Sequence, residues 1–500
     1  MRLKRAGAIR RPIVPEDLSR LSFIQGGVLS PDGEAAIYSI SRTAKDGERE
    51  RVALRLVNLE SLAERPLAAS SARDFNPQYS PDGGRVAFLS TRGGSPQIHV
   101  VEIKGGKPRR LTCMPQGVGG GPVWSPDGRW LAFTAGPPGA KRDPSRAYRV
   151  TRHIHRFDDM GNLDDAVQDI YIISAGGGSP RRMTDGGGHN VNPLWSPDGR
   201  EILFTANMER DSLSVLLGRL KIVDRKGTVR ELIKGWGHAF SAAWLPDGRI
   251  VFCGQRRGRP IGSKADVWVV NSKGGAPKCR TAGVTFHVGG GLQADVATTL
   301  MALPRLLPAE DGGSVFVQVQ EGGAVRICRV ALDGPEQCAP VVGGERSCFP
   351  LGRRAGRLLF AVRALNNPLD LFIAASDGSS ERRITRVNSA AMRSWRLPVV
   401  EALEFKGSDG VPVEGWVMKP SAGAKSCPMI LYIHGGPHSA FGHVFSFDFH
   451  MLAGAGYAVL FLNQRGSTGY GDAFATRIIG DWGNLDYRDL IAGVDAAVER

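Results

Sequence analysis

The chain has 500 residues, too many for a single hydrophobic core, so two or three domains are expected. Its composition, 42% hydrophobic and 23% charged, is that of a soluble globular protein, and 65 glycines with 31 prolines predict many short strands joined by tight turns. A net charge of +15 admits nucleic acid or acidic partners, but the arginines are scattered, often as pairs in turns (Arg109-Arg110, Arg181-Arg182, Arg382-Arg383), without a basic helix or an aromatic platform. The expectation is a solvated basic surface and no nucleic-acid partner.

Seven cysteines (Cys113, Cys253, Cys279, Cys328, Cys338, Cys348, Cys427) form no C-x-x-C, and an odd count fits neither a disulfide framework nor a zinc ribbon. Residues 1–19 read as a basic N-terminal arm without the apolar core of a secretory signal. No run reaches the roughly 18 apolar residues of a membrane helix. A cytoplasmic protein without membrane attachment is expected.

Residues 20–395 are built on a repeat. PQYSPDGGRVAFLS (77–90), PVWSPDGRWLAFTA (122–135) and PLWSPDGREILFTA (193–206) are near copies, and 26–40 and 242–254 are looser ones. The turn aspartates Asp32, Asp82, Asp127, Asp198 and Asp247 are spaced 50, 45, 71 and 49 residues apart. Proline presets the first corner of each turn, aspartate bonds its own backbone and glycine supplies positive φ. Tyr79, Trp124, Trp195 and Trp244, just before the turns, are placed to plug the gaps between units. A second half-unit of 17 residues recurs at 96–112, 168–184, 265–281 and 369–385, each a strand, a glycine-rich turn and a second strand. Four strands per unit make a propeller blade, and about 45–50 residues per blade gives seven or eight blades, of which seven is expected because the third unit is stretched. The third unit carries an insertion between Thr134 and Gln168 with His153, His155, Asp158 and Asp159. These read as a polar rim loop ahead of a metal site. Units between Gly283 and Leu365 are degenerate.

After Ser394-Trp395-Arg396 the pattern changes, and 396–500 form a separate unit. Residues 400–420 predict a hairpin turning at Ser408-Asp409-Gly410. CPMILYIHGG predicts a strand buried on both faces. A helix is expected from Val444 to Tyr457, stopping at Gly454 or Gly456, then a strand over 457–466. A last helix over 481–500, with Asp481 as N-cap, presents Tyr487, Leu490, Ile491, Val494 and Val498 on one face. Alternating strands and helices imply a mostly parallel α/β sheet.

MILYIHGGPHS (429–439) breaks from an apolar run into a bare diglycine, which is either a plain corner or a place where N–H groups meet negative charge. His434 and His438 cannot share a helical metal face, because Gly-Gly-Pro separates them. HGGPH at 434–438 followed by NQRGSTGYGD at 463–472, after a propeller of S-P-D-G blades, resembles the prolyl oligopeptidase family of serine peptidases, in its acylaminoacyl-peptidase-like branch. HRFDDMGNLDDAVQDIYII resembles a propeller segment of that branch, and the resemblance spans nearly the whole chain.

It implies an all-β propeller of about seven blades followed by an incomplete α/β-hydrolase domain. It makes Gly435 or Gly436 a backbone donor of the oxyanion hole, with His434 and Pro437 shaping that loop. It sets Arg465 and Tyr470 in a loop bordering the active site, against a plain alternative of a solvated arginine and a packing tyrosine. It implies a Ser-Asp-His triad, a peptide substrate and no cofactor, and a homo-oligomer is compatible with it. No G-x-S-x-G occurs in the 500 residues, and Ser467 reads as a turn serine. The serine elbow is expected roughly 10–20 residues after Arg500. The chain therefore reads as cut short within its catalytic domain, inactive as supplied and prone to aggregate at its open sheet edge. The expected activity of the whole is hydrolysis of short peptides, N-acylated ones among them. The alternatives are an esterase of the same fold or a non-catalytic binding propeller.

Overall fold

A computed structural model describes residues 10–43, 50–68, 70–137, 145–147, 149–157, 161–163, 167–186, 188–207, 218–295, 304–420 and 426–500. Five separate antiparallel sheets of four strands come first, each running inner to outer in chain order. The sixth and seventh blades form one nine-stranded sheet, joined only by the parallel bridge Val325–Ser347. The expected seven blades are therefore present, with strands from Ser22 to Arg383.

The turn signature does the work its residues suggest. In blade four, Ser196 Oγ donates to Asp198 Oδ1 at 2.6 Å, Arg200 N donates to the same oxygen at 3.0 Å, and Gly199 at φ 69° closes the corner. Trp124, Trp195 and Trp244 each donate Nε1–H to a carbonyl of the preceding blade (Gln78, Val123 and Leu194), all at 3.1 Å. The 17-residue half-unit ends in a clasp. Thr184 Oγ1 donates to buried Asp169 at 2.7 Å and accepts from Ile170 N at 3.0 Å, and Thr385 repeats both bonds with Asp370 and Leu371.

The arginine pairs stay largely exposed, as expected of a solvated surface, and also tie strands together. One member serves its own blade: Arg182 binds Asp169 at 2.6 Å and Arg383 binds Asp370. The other reaches a carbonyl of the next blade: Arg109 to Ala175 at 2.9 Å and Arg181 to Arg225 at 2.7 Å. Arg382 does the same from blade seven to Leu59 of blade one. The ring closes there without a shared strand, through Arg382 and an apolar cluster joining Phe349, Leu351 and Leu359 to Ile24, Leu29 and Tyr38.

Blade six holds a degenerate form of the same turn. Ala309-Glu310-Asp311-Gly312 lacks the serine and proline, yet Gly313 N still donates to Asp311 Oδ1 at 3.0 Å. Its inner strand is split into His287–Val288 and Leu307–Pro308.

In the C-terminal unit, Val399–Lys406 and Pro412–Lys419 form the expected hairpin. Pro412–Lys419 pairs antiparallel with Ala458–Leu462, which pairs parallel with Met429–Tyr432. Met429–Tyr432 is thus an edge strand, half-buried rather than buried on both faces, because only one neighbour covers it. The middle helix is Phe447–Gly454, starting later than Val444 because Ser446 caps it. The last helix is Leu485–Glu499, and Asp481 instead accepts from Asn484 Nδ2 at 2.9 Å in the preceding turn. Of its expected apolar face, Leu490 packs on Leu403 and Leu462 and Val494 joins them, while Tyr487, Ile491 and Val498 are exposed.

The arm is bound where the two units join. Arg11 N donates to Ser394 O at 3.3 Å and Arg396 N to Arg11 O at 2.8 Å. Ile13 packs with Trp395, Phe445 and Phe447.

Candidate active site

At the end of the edge strand the chain turns into the diglycine loop. His434 is buried, 4% exposed, with Nε2 2.9 Å from Ser467 Oγ and Nδ1 3.1 Å from Gly435 O. Burial lowers its pKa, so the ring is neutral near pH 7 and carries one N–H. Ser467 Oγ lies closest to Gln464 O, at 2.6 Å. The hydroxyl donates to that carbonyl, and the single N–H of the neutral His434 ring serves either Ser467 Oγ or Gly435 O, not both. This buried serine closes a turn and is held on both sides, which is not the arrangement of an activated nucleophile.

Gly435 and Gly436 are exposed. Gly436, at φ 134°, needs glycine for its backbone, and a Cβ there would come 2.9 Å from His438 N and 3.3 Å from Ser439 Cβ. Gly435 is different. Its φ is not positive and an added Cβ would meet nothing within 4 Å, so no neighbour demands glycine there. Among the described residues, neither diglycine amide donates a hydrogen bond. A carbonyl oxygen that gains negative charge could sit against these N–H groups.

His438 faces elsewhere. Its Nδ1 lies 3.0 Å from Gly466 O, and its ring sits where a side chain on Gly262 of blade five would be. No three His, Cys, Asp or Glu converge for a metal among the described residues. In the blade-three insertion, His155 O accepts from Leu163 N at 2.8 Å, His153 is exposed, and Asp158 and Asp159 lie outside the described residues.

The loop after Ala458–Leu462 is tied down from below. Asn463 Oδ1 accepts from Phe441 N at 2.8 Å, and Asn463 Nδ2 donates to Phe441 O at 3.0 Å and to Tyr470 Oη at 2.6 Å. Tyr470 donates to Glu414, and burial followed by the Glu414 charge raises its pKa well above the usual value, so the phenol stays protonated. Arg465 is 1% exposed rather than solvated. Its Nε and Nη2 bind Asp489 at 2.9 and 2.7 Å, its Nη1 binds Asp409, and its amide donates to Asp489 at 2.9 Å. The guanidinium thus locks the loop to the last helix and to the hairpin turn. Asp489, Glu414 and Asn463 escape sequence reading because nothing within a few residues of them marks a partner that far along the chain.

Comparison with known proteins gives two family matches: the TolB beta propeller domain over residues 23–145 and the prolyl oligopeptidase family over residues 443–500. The uncharacterized peptidase YuxL of Bacillus subtilis is 28% identical over 98% of this chain and 77% of its own length. The solved acylaminoacyl peptidase of Pyrococcus horikoshii superposes with a TM-score of 0.79 at 18% identity, over 97% of this chain and 72% of that one. A puromycin-hydrolyzing peptidase of Mycobacterium tuberculosis gives 0.70 at 17% identity, over 99% and 74%. No helix among the described residues is long and apolar enough to cross a membrane.

Proposed function

We propose, from the premise that this chain belongs to the prolyl oligopeptidase family, that it serves in a serine-type peptidase acting on short peptides, N-acylated ones among them. The observation that carries this reading is the vacancy at Gly435: glycine where the fold does not require it, beside amides without an acceptor. A serine hydroxyl would attack the scissile carbonyl carbon while an imidazole takes its proton. The carbonyl oxygen becomes an alkoxide held by the diglycine N–H groups, and collapse expels the amine, which receives the proton. Water then repeats the sequence on the acyl-enzyme. One such donor is worth about 3–4 kcal/mol in the transition state.

The reading requires a nucleophile on a strand-to-helix elbow, and no G-x-S-x-G occurs in the sequence, so we propose that the 500 residues taken alone do not hydrolyse peptides. The test uses the product of the complete reading frame, assayed on acylated and free peptide anilides and with a fluorophosphonate probe. Hydrolysis with labelling, lost when Gly435 is changed to valine, is expected. Absence of both in a folded protein overturns the reading, and turnover of simple esters alone would make the protein an esterase.

A further inference from the structure

Residues 289–295, which follow the first half of blade six's inner strand, meet the segment after the diglycine loop. Leu292 is buried in one cluster with Ala440 and Val444. Gln293 N donates to Ala440 O at 2.8 Å, and Gln293 Oε1 accepts from Ser439 Oγ at 3.3 Å. Asp295 accepts from Ser446 Oγ at 3.1 Å, Phe447 N at 2.9 Å and Asp448 N at 2.5 Å.

These contacts bracket the loop. Ser439 and Ala440 follow the diglycine after Pro437 and His438, and Ser439 Cβ is among the atoms that a side chain on Gly436 would meet, at 3.3 Å. Ser446 to Asp448 open helix Phe447–Gly454, which ends the loop. The first turn of a helix presents unpaired N–H groups and positive potential, and here the propeller supplies the anion. The middle of the loop is also held by the α/β unit and by blade six, where Asn463 brackets Phe441, Thr468 N donates to Ser439 O at 2.9 Å and His443 N donates to Gly323 O at 2.8 Å; the backbone of 435–438 is tied more lightly, by Ser439 N to Pro437 O and the ring contacts of His434 and His438.

We propose that residues 289–295 are a positioning element of the active site: Asp295 and Gln293, from the propeller, hold the Gly435–Gly436 amides in place. The inference rests on the oxyanion-hole reading above. Loss of Asp295 frees the helix start and lets the amides wander. Amides misplaced by less than 1 Å stabilise the alkoxide poorly, although substrate still binds.

Two measurements test it. Hydrogen–deuterium exchange on this 500-residue chain reads the loop without any catalysis. Asp295→Ala is expected to speed exchange about tenfold over both 439–444, where Ser439, Phe441, His443 and Val444 amides are hydrogen-bonded, and 446–449, leaving blades two to four unchanged, and Asp295→Asn, which keeps an acceptor oxygen, to fall between. Gln293→Ala, a milder change should Asp295→Ala fail to fold, is expected to speed 439–444 about threefold. In the complete peptidase, Asp295→Ala is expected to lower kcat about tenfold with KM within about twofold, partly rescued by Asp295→Asn. Faster exchange at 446–449 alone, with 439–444 and kcat unchanged, would make Asp295 a simple helix cap and overturn the proposal. If the wild-type protein hydrolyses nothing, the peptidase reading fails, and exchange at 439–444 still decides whether the propeller positions the loop.

Discussion

Blades three and six have the same four-stranded plan and spend their polar groups differently. Blade three keeps them inside the ring, where Asp169 alone receives Arg182, Thr184, the Gly186 amide and Asn190. Blade six spends them on the α/β unit. Gln320 exchanges hydrogen bonds with Thr468 in both directions at 3.0 Å, Gly322 N donates to Gly469 O at 2.9 Å, and His443 N donates to Gly323 O at 2.8 Å. The degenerate stretch that the sequence marks between Gly283 and Leu365 contains these contacts; blade five, which keeps its repeat turn, adds Lys264 N to Asp472 Oδ1 at 2.6 Å.

The largest expected effect tests the α/β side. Arg465→Met leaves Asp489, fully buried, without a counter-charge, and a loss of about 3–5 kcal/mol is expected in urea unfolding followed by tryptophan fluorescence. Arg346→Met, which breaks a partly exposed pair with Glu381, should cost less than about 1 kcal/mol. Next comes the grip itself. A methyl group at Gly323 would overlap the Trp416 ring, so Gly323→Ala should cost about 2–3 kcal/mol and shift Trp416 emission. The same change at Gly334, in open space at φ 67°, should cost about 1 kcal/mol, and equal losses would break the contrast between docked and free turns.

Within the ring, Thr184→Val removes two bonds of the clasp, and about 1–2 kcal/mol should be lost in the same titration. A last test is a pH slope. Burial holds His189 of blade four and His450 of the middle helix to about 4, against 6.5 when unfolded. The unfolded chain therefore takes up protons first. Stability is intact above about pH 6.5 and falls as pH drops towards 4. The melting temperature should follow, less steeply in His450→Leu and His189→Leu, and a slope unchanged by both would show that these rings are not neutral in the fold.

Legibility follows the same division. The S-P-D-G turns, their following strands and the tryptophan plugs lie within a few residues of one another, and the structure contains them as read. The arginine pairs, expected in turns, form the short outer strands Arg109–Arg110, Arg181–Arg182 and Arg382–Arg383, and their links were not legible because the acceptors sit in the next blade. In the α/β unit the diglycine bend stands out in sequence, while the burial of Arg465 does not, since Asp409 and Asp489 lie 56 and 24 residues away. The helix starts were misplaced by the same cause: Ser446 and Asp295 together decide where helix Phe447–Gly454 begins, and Asp295 belongs to the propeller.

By itself, then, the sequence determined the repeating turns, the strand alternation that builds blades, the change of architecture near residue 396 and the exposed bend at Gly435–Gly436, all of which depend on steric and hydrogen-bonding preferences of neighbouring residues. Only the tertiary structure decided that blade six binds the α/β unit, that Arg465 is a buried tie and that Asp295 backs the diglycine loop. Those pairings join groups far apart in the chain, and a charge or amide takes its partner from whatever folding brings within about 3 Å of it.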